Sequence, residues 1–141
     1  MKVVSDTSPI IAFSNLGKLY ILKALFGRIT IPRAVYEELS EGIKDRGLYK
    51  MLRSGLDHGE SEAIILYFEK EMDLFLVDDG EARKIAASFE ITFTGTGGLL
   101  LLGKKKGLIS SVRTEIDTLE REGAFRLSDA VKDILLREAK E

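Results

Sequence analysis

The 141-residue chain has no cysteine, one histidine and two prolines. Without cysteine, disulfides and thiolate metal sites are excluded. The single His58 excludes multi-histidine zinc sites and gives a Ser-His-Asp triad little to stand on. Long hydrophobic runs are also missing. Stretches such as Leu99 to Leu102 are far too short to span a bilayer. The N-terminus, Met-Lys-Val-Val-Ser-Asp, has no signal-peptide hydrophobic region. The expectation is a cytoplasmic protein with no membrane partner. Neither sign of charge dominates, since Lys+Arg 21 against Asp+Glu 23 leaves a net −2. That balance argues against broad coating of nucleic acid, which needs a basic patch. It leaves room for a local site where a bound divalent metal inverts the sign.

What is present is an ordinary globular composition, 45% hydrophobic and 31% charged. One domain over residues 1–141 is the economical reading, because no linker, repeat or low-complexity tract interrupts it. Strand and helix signals alternate, which predicts an α/β fold with a mostly parallel sheet. Strands are expected at Lys2 to Ser5, Arg28 to Ile31, Leu74 to Val77 and Ile91 to Thr94. Helices are expected from Ser8-Pro9 to a break at Gly17, from Leu19 to Phe26, and from Pro32 to a stop near Gly42. A short helix around Tyr49 to Arg53 precedes a strong helix over Glu60 to Lys70, with Ala63, Ile64, Tyr67 and Phe68 inward. Glu81 to Phe89 is amphipathic, with Ala82, Ile85, Ala86 and Phe89 inward. Gly95-Thr96-Gly97-Gly98 reads as a turn before Leu99 to Leu102. Ser110 or Ser111 can cap one later helix, and Ser128 a last one carrying Val131, Ile134 and Leu135.

Acids stand at the junctions. Asp6 ends the first strand, where open α/β sheets place their ligands. Glu38 follows Ile31-Pro32, Glu60 lies in Gly59-Glu60-Ser61-Glu62-Ala63, and Asp78-Asp79 follow Leu74 to Val77. In a chain with these absences, such acids point to an all-oxygen site for Mg²⁺ or Mn²⁺. A hard cation so held activates water and stabilises charge developing on a phosphate. Helix capping and the helix dipole also favour first-turn acids, and this is the competing explanation at Glu38 and at Asp78 or Asp79. Glu60 shares the face of Ile64 and Tyr67, so it is a better ligand than Glu62.

Asp6-Thr7-Ser8-Pro9, Ile31-Pro32 with Tyr36-Glu37-Glu38-Leu39, Gly59 to Ala63, and Val77-Asp78-Asp79-Gly80-Glu81-Ala82-Arg83 together resemble the PIN-domain superfamily. Thr94 to Leu100 and Lys106-Gly107-Leu108-Ile109 resemble its small stand-alone prokaryotic branch, so the likeness covers nearly the whole chain. The resemblance implies a three-layer α/β/α sandwich around a central parallel sheet. It also implies metal-dependent cleavage of RNA, often by the toxin of a type II toxin–antitoxin pair, and frequently a homodimer. The four family acids fall on Asp6, Glu38, Glu60 and Asp79, with Asp78 the alternative to Asp79. The hydroxyl partner of the first acid falls on Ser8 or Thr7. The third position is a departure, because relatives more often carry Asp where Glu60 stands. A displaced carboxylate can be costly in catalysis. The alternative function is therefore a catalytically weak PIN-like module that binds RNA or protein.

Arg83 and Lys84 follow the Asp79 turn and are the expected phosphate contacts, with Ser8 orienting Asp6. Lys104-Lys105-Lys106 reads as a helix end complementing the dipole rather than as an RNA surface. The glycine run lacks the Gly-Lys-Ser/Thr ending of a nucleotide-binding loop. Tyr20, Tyr36, Tyr49 and Tyr67 read as core or interface, and Phe13, Leu16, Leu19 and Leu22 as a stripe available to a second copy. A receiver-domain reading of the paired acids lacks the expected late-strand lysine, because that strand ends Thr92-Phe93-Thr94.

Overall fold

The computed structural model describes residues 1–44, 58–123 and 125–141. Its centre is a parallel sheet of β1 (Val3–Ser5), β2 (Leu74–Leu76) and β3 (Phe93–Thr94), in that spatial order. Ser5 stands opposite Leu76, and Leu76 opposite Thr94. These strands are short and apolar because both faces are covered, as in parallel sheets generally.

The side-chain alternation of a strand divides the core in two. Val3 and Leu76 point to one face, where they join Phe13, Ile21, Leu99, Leu100, Ile116 and Leu119. Val4, Phe75 and Val77 point to the other and meet Ala63, Ala82, Ala86 and Ile91. On the first face lie α1 (Thr7–Asn15), α2 (Leu19–Phe26), α6 (Thr96–Lys105), α7 (Val112–Arg121) and α8 (Asp129–Glu138). On the second lie α4 (His58–Glu69) and α5 (Gly80–Ser88). Among the described residues the remaining helix, α3 (Arg33–Lys44), packs against α1 and α4. The α/β fold with a parallel sheet expected from the alternating elements is observed, with helices on both faces as the family resemblance implies.

Several boundaries differ from expectation, each for a physical reason. Of the strand expected over residues 28–31, Thr30 alone pairs, as an isolated parallel bridge to Val4. Pro32 has no N–H with which to extend that ladder. The helix after it continues past Gly42 to Lys44; an interior glycine costs only about 1 kcal/mol against alanine and neighbouring turns can carry it. Phe68 and Phe89, expected inward, are 52% and 57% exposed. Their rings meet edge to face at 6.1 Å, since Phe89 has already left α5. In α8 the inward stripe is Leu135, Leu136 and Ala139, while Val131 and Ile134 face solvent. Phe13 and Leu22 of the expected dimer stripe are consumed by the core, and Leu19 with Tyr20 stays exposed. The helix expected around Tyr49 to Arg53 lies outside the described residues.

The glycine run is not a turn. Gly95 caps α6, and Thr96, Gly97 and Gly98 form its first helical turn. Tertiary packing overrides propensity here. A Cβ on Gly97 would lie 2.6 Å from Leu135 Cδ1, and one on Gly98 2.3 Å from Thr94 Oγ1. Only a hydrogen lets α8 and β3 approach so closely.

Ser111 and Ser128 cap α7 and α8, accepting from the N–H groups of Thr114 and Val131. Glu141 adds a second cap to α7, accepting from the N–H groups of Val112 at 2.7 Å and Arg113 at 3.2 Å. It also pairs with Lys104 Nζ at 2.9 Å, which gives the first lysine of the run a structural task. Burial pushes the Glu141 carboxyl up, but Lys104, the Val112 N–H, the Ser111 hydroxyl and the Arg113 N–H outweigh it. Together they hold its pKa down from the ordinary 4.5 to about 2. A depressed carboxylate stabilises the fold above its unfolded pKa and loses that contribution as pH falls from 4.5 towards 2. Glu141→Gln is expected to cost about 1–2 kcal/mol at pH 7, after allowance for solvent screening. The difference from wild type should vanish in urea melts near pH 2. A gap that persists undiminished at that pH would contradict the assignment.

Candidate active site

The functional end of an open parallel sheet is the carboxyl end of its strands. Three helices start there directly, α1 after β1, α5 after β2 and α6 after β3. Asp6 is the first residue beyond β1, and its N–H donates to Leu76 O of the neighbouring strand at 2.9 Å. It occupies the cap position of α1 without using its side chain as the cap. The side chain is buried, at 3% exposure.

Thr7, the next residue, donates its hydroxyl to Glu38 Oε2 at 2.7 Å. That bond links the β1–α1 junction to the middle of α3, across 31 residues of sequence. Glu38 is 9% exposed, whereas its neighbour Glu37 pairs at the surface with Arg33. Of the two hydroxyls expected beside the first acid, Thr7 makes the recorded contact with a family acid; Ser8 is buried next to it.

In the first turn of α4, Glu60 is 3% exposed. Glu62 is exposed and accepts from the Ala34 N–H at 3.0 Å, serving as a cap for α3 from a neighbouring helix. The sequence distinction between the two is thus visible in their burial and bonding. Burying a carboxylate is expensive unless it is paired and hydrogen-bonded. Three such acids, at positions 6, 38 and 60, are more than dipole compensation at helix starts requires.

The fourth junction divides its two acids. Asp79 Oδ2 caps α5 by accepting from the Ala82 N–H at 2.9 Å. Asp78 uses both oxygens on Thr96, accepting from its N–H and from its hydroxyl at 2.7 Å each. That pair fastens the end of β2 to the start of α6. A carboxylate favours this position also because it faces the positive end of the α6 dipole. Arg83, one turn into α5, lies over the Phe93 ring at 5.2 Å. Lys84 points outward and pairs weakly with Glu81 at 3.7 Å. Thr96 was not legible as a site residue; its position 18 residues beyond Asp78 has no periodic signature.

The donor set suits a hard divalent cation in kind, being all oxygen and mostly buried. In arrangement it is not yet a cage. Among the described residues, no group of three or more His, Asp or Glu side chains stands close enough to hold a metal ion.

A parallel sheet between helical layers, with acids beyond the ends of β1 and β2, defines a helix-rich α/β protein. A family profile described as a PIN domain matches residues 2–47 and 40–141, and the chain belongs to the PIN-domain family. Members of that family are generally nucleases and typically bind divalent metals. No curated protein and no solved structure matches the chain. Among the described residues, no helix is long and apolar enough to cross a membrane.

Proposed function

We propose that the protein is a divalent-metal-dependent endoribonuclease, with Mg²⁺ or Mn²⁺ held by Asp6, Glu38, Glu60 and Asp79. The observation that carries this reading is the burial of three acids from separate elements, with the hydroxyl of Thr7, the residue after Asp6, bonded to Glu38. When bound, the cation supplies Lewis acidity towards phosphate and lowers the pKa of its water. The chain's own residues position and neutralise. Thr7 holds the Glu38 carboxylate in one orientation, and Ser8 lies beside Asp6 at the start of α1. Asp79 keeps the first turn of α5 in place, and with it Arg83 and Lys84, which face the negative backbone of the substrate. A toxin role in a type II pair, held in check by an antitoxin protein in the cytoplasm, and a homodimeric assembly extend this reading. They rest on the family resemblance, with Leu19 and Tyr20 among the exposed apolar residues left for a partner.

The second reading, a binding module without catalysis, is favoured by the lack of a ready three-acid metal group among the described residues. Thermal unfolding with and without Mn²⁺, beside RNA cleavage in the same buffer, separates the two. The enzyme reading expects a melting temperature raised by Mn²⁺, less so in Glu38→Gln, together with cleavage that EDTA stops. RNA binding with neither effect would sink it in favour of the module.

A further inference from the structure

A cavity of about 210 Å³ opens beside the proposed site, between the first turn of α6 and the chain entering α8. Arg83, Arg126, Leu127 and Leu135 line it, with the two leucines packed against the helix start at Gly97. Neither guanidinium belongs to an ion pair among the described residues. The Arg83 guanidinium carbon lies 5.2 Å from the Phe93 ring centroid, a contact that supplies no carboxylate. Asp78 also lines the cavity, but both its oxygens are already bonded by Thr96. Close approach of these groups depends on Gly95, where a Cβ would lie 2.7 Å from Asp78 Oδ1 and 3.8 Å from Arg83 Nη1.

Two cations without carboxylate partners, lining one small cleft together with apolar side chains, match an amphipathic anion. The volume lies below the roughly 300–1,000 Å³ of pockets that take drug-sized ligands, so it suits one compact unit. The geometry points to a nucleotide subsite for single-stranded RNA, in which one phosphate meets Arg83 and Arg126 and the attached nucleoside packs on Leu127 and Leu135. This deepens the ribonuclease reading and rests on it for the identity of the ligand as RNA. Arginine suits the task because its planar fork donates two parallel hydrogen bonds to phosphate. Arg126 comes from the segment before α8, far in sequence from every acid of the proposed metal site.

The test is binding of a labelled, 5′-phosphorylated single-stranded RNA to the full chain in EDTA, followed by fluorescence anisotropy. Arg126→Ala should weaken binding about 10-fold, as expected for one lost hydrogen-bonded charge contact, and reduce the salt slope by about one. Arg126→Lys should recover only part of the loss. Lys23→Ala, which removes the same charge from exposed α2, should change affinity less than twofold. Equal losses in Arg126→Ala and Lys23→Ala, or no binding by wild type, would overturn the subsite. The two readings fail separately. Arginine-dependent binding without Mn²⁺-dependent cleavage leaves the subsite standing and removes the nuclease. Cleavage whose KM ignores Arg126→Ala does the reverse.

Discussion

Phe75→Ala is expected to lower stability by about 3–5 kcal/mol. Phe75 lies on the middle strand of the sheet and is fully buried. The buried residues of its cluster are otherwise Val4, Val77, Ile91 and three alanines, Ala63, Ala82 and Ala86, with Ile64, Leu66, Tyr67, Met72 and Phe93 partly buried against them. Alanine side chains cannot lean into a space left by a phenyl ring, so the cavity would persist, and its cost grows with residual volume. The total stability of such a domain is of order 5–15 kcal/mol, so one substitution removes a large share of it. Phe75→Leu, which keeps most of the volume, should cost less than about 1.5 kcal/mol. Urea denaturation of the three proteins checks this. A loss under about 1 kcal/mol for the alanine variant would mean that α4 and α5 close onto the sheet, and that the second face is not rigidly packed.

Asp6→Asn is expected to reduce RNA cleavage by at least ~100-fold, beyond what loss of an outer-shell partner alone produces. Asparagine keeps the size of the side chain and suits the extended cap position, so α1 should form as before. The charge alone is removed. Because a buried ionised group is expensive, the variant should melt no lower than wild type, or slightly higher. Thr7→Val, which leaves the acids but releases Glu38, should cost roughly 10-fold, in the range of outer-shell substitutions. Retention of activity within about threefold in Asp6→Asn would remove the β1–α1 junction from the catalytic site. A fall in activity accompanied by a collapsed melting temperature would instead make Asp6 structural.

Much of the fold was legible because both signals that sequence carries well were present. Apolar runs at 74–77 and 3–5 lie in a sheet covered on both faces, and glycine or serine marks most helix ends. Some misreadings arise because distant segments decide, others because an element stops a residue early. The helical Thr96-Gly97-Gly98 turn exists because Asp78 bonds Thr96 and because Leu135 and Thr94 press on the glycines. Phe89 looked like the last inward residue of a stripe, but α5 stops one residue earlier. Residue type and junction position marked Asp6, Glu38 and Glu60 as candidates, and all three are buried, as is Glu115, which pairs with Lys18. The division of labour between Asp78 and Asp79 was not readable, since both follow the same strand and their partners, Thr96 and Ala82, differ only in three dimensions. Nothing local marks Arg126, which reaches the cavity through the packing of α8 on α6.

The proposed role of these acids in metal-dependent hydrolysis of RNA is tested most directly by cleavage of a structured RNA by purified wild type and by Asp6→Asn and Asp79→Asn, each with Mn²⁺, Mg²⁺ or EDTA. Wild type is expected to cleave with either metal and not in EDTA, and both variants are expected to lose activity. Cleavage that survives in the variants, or that proceeds in EDTA, would contradict it.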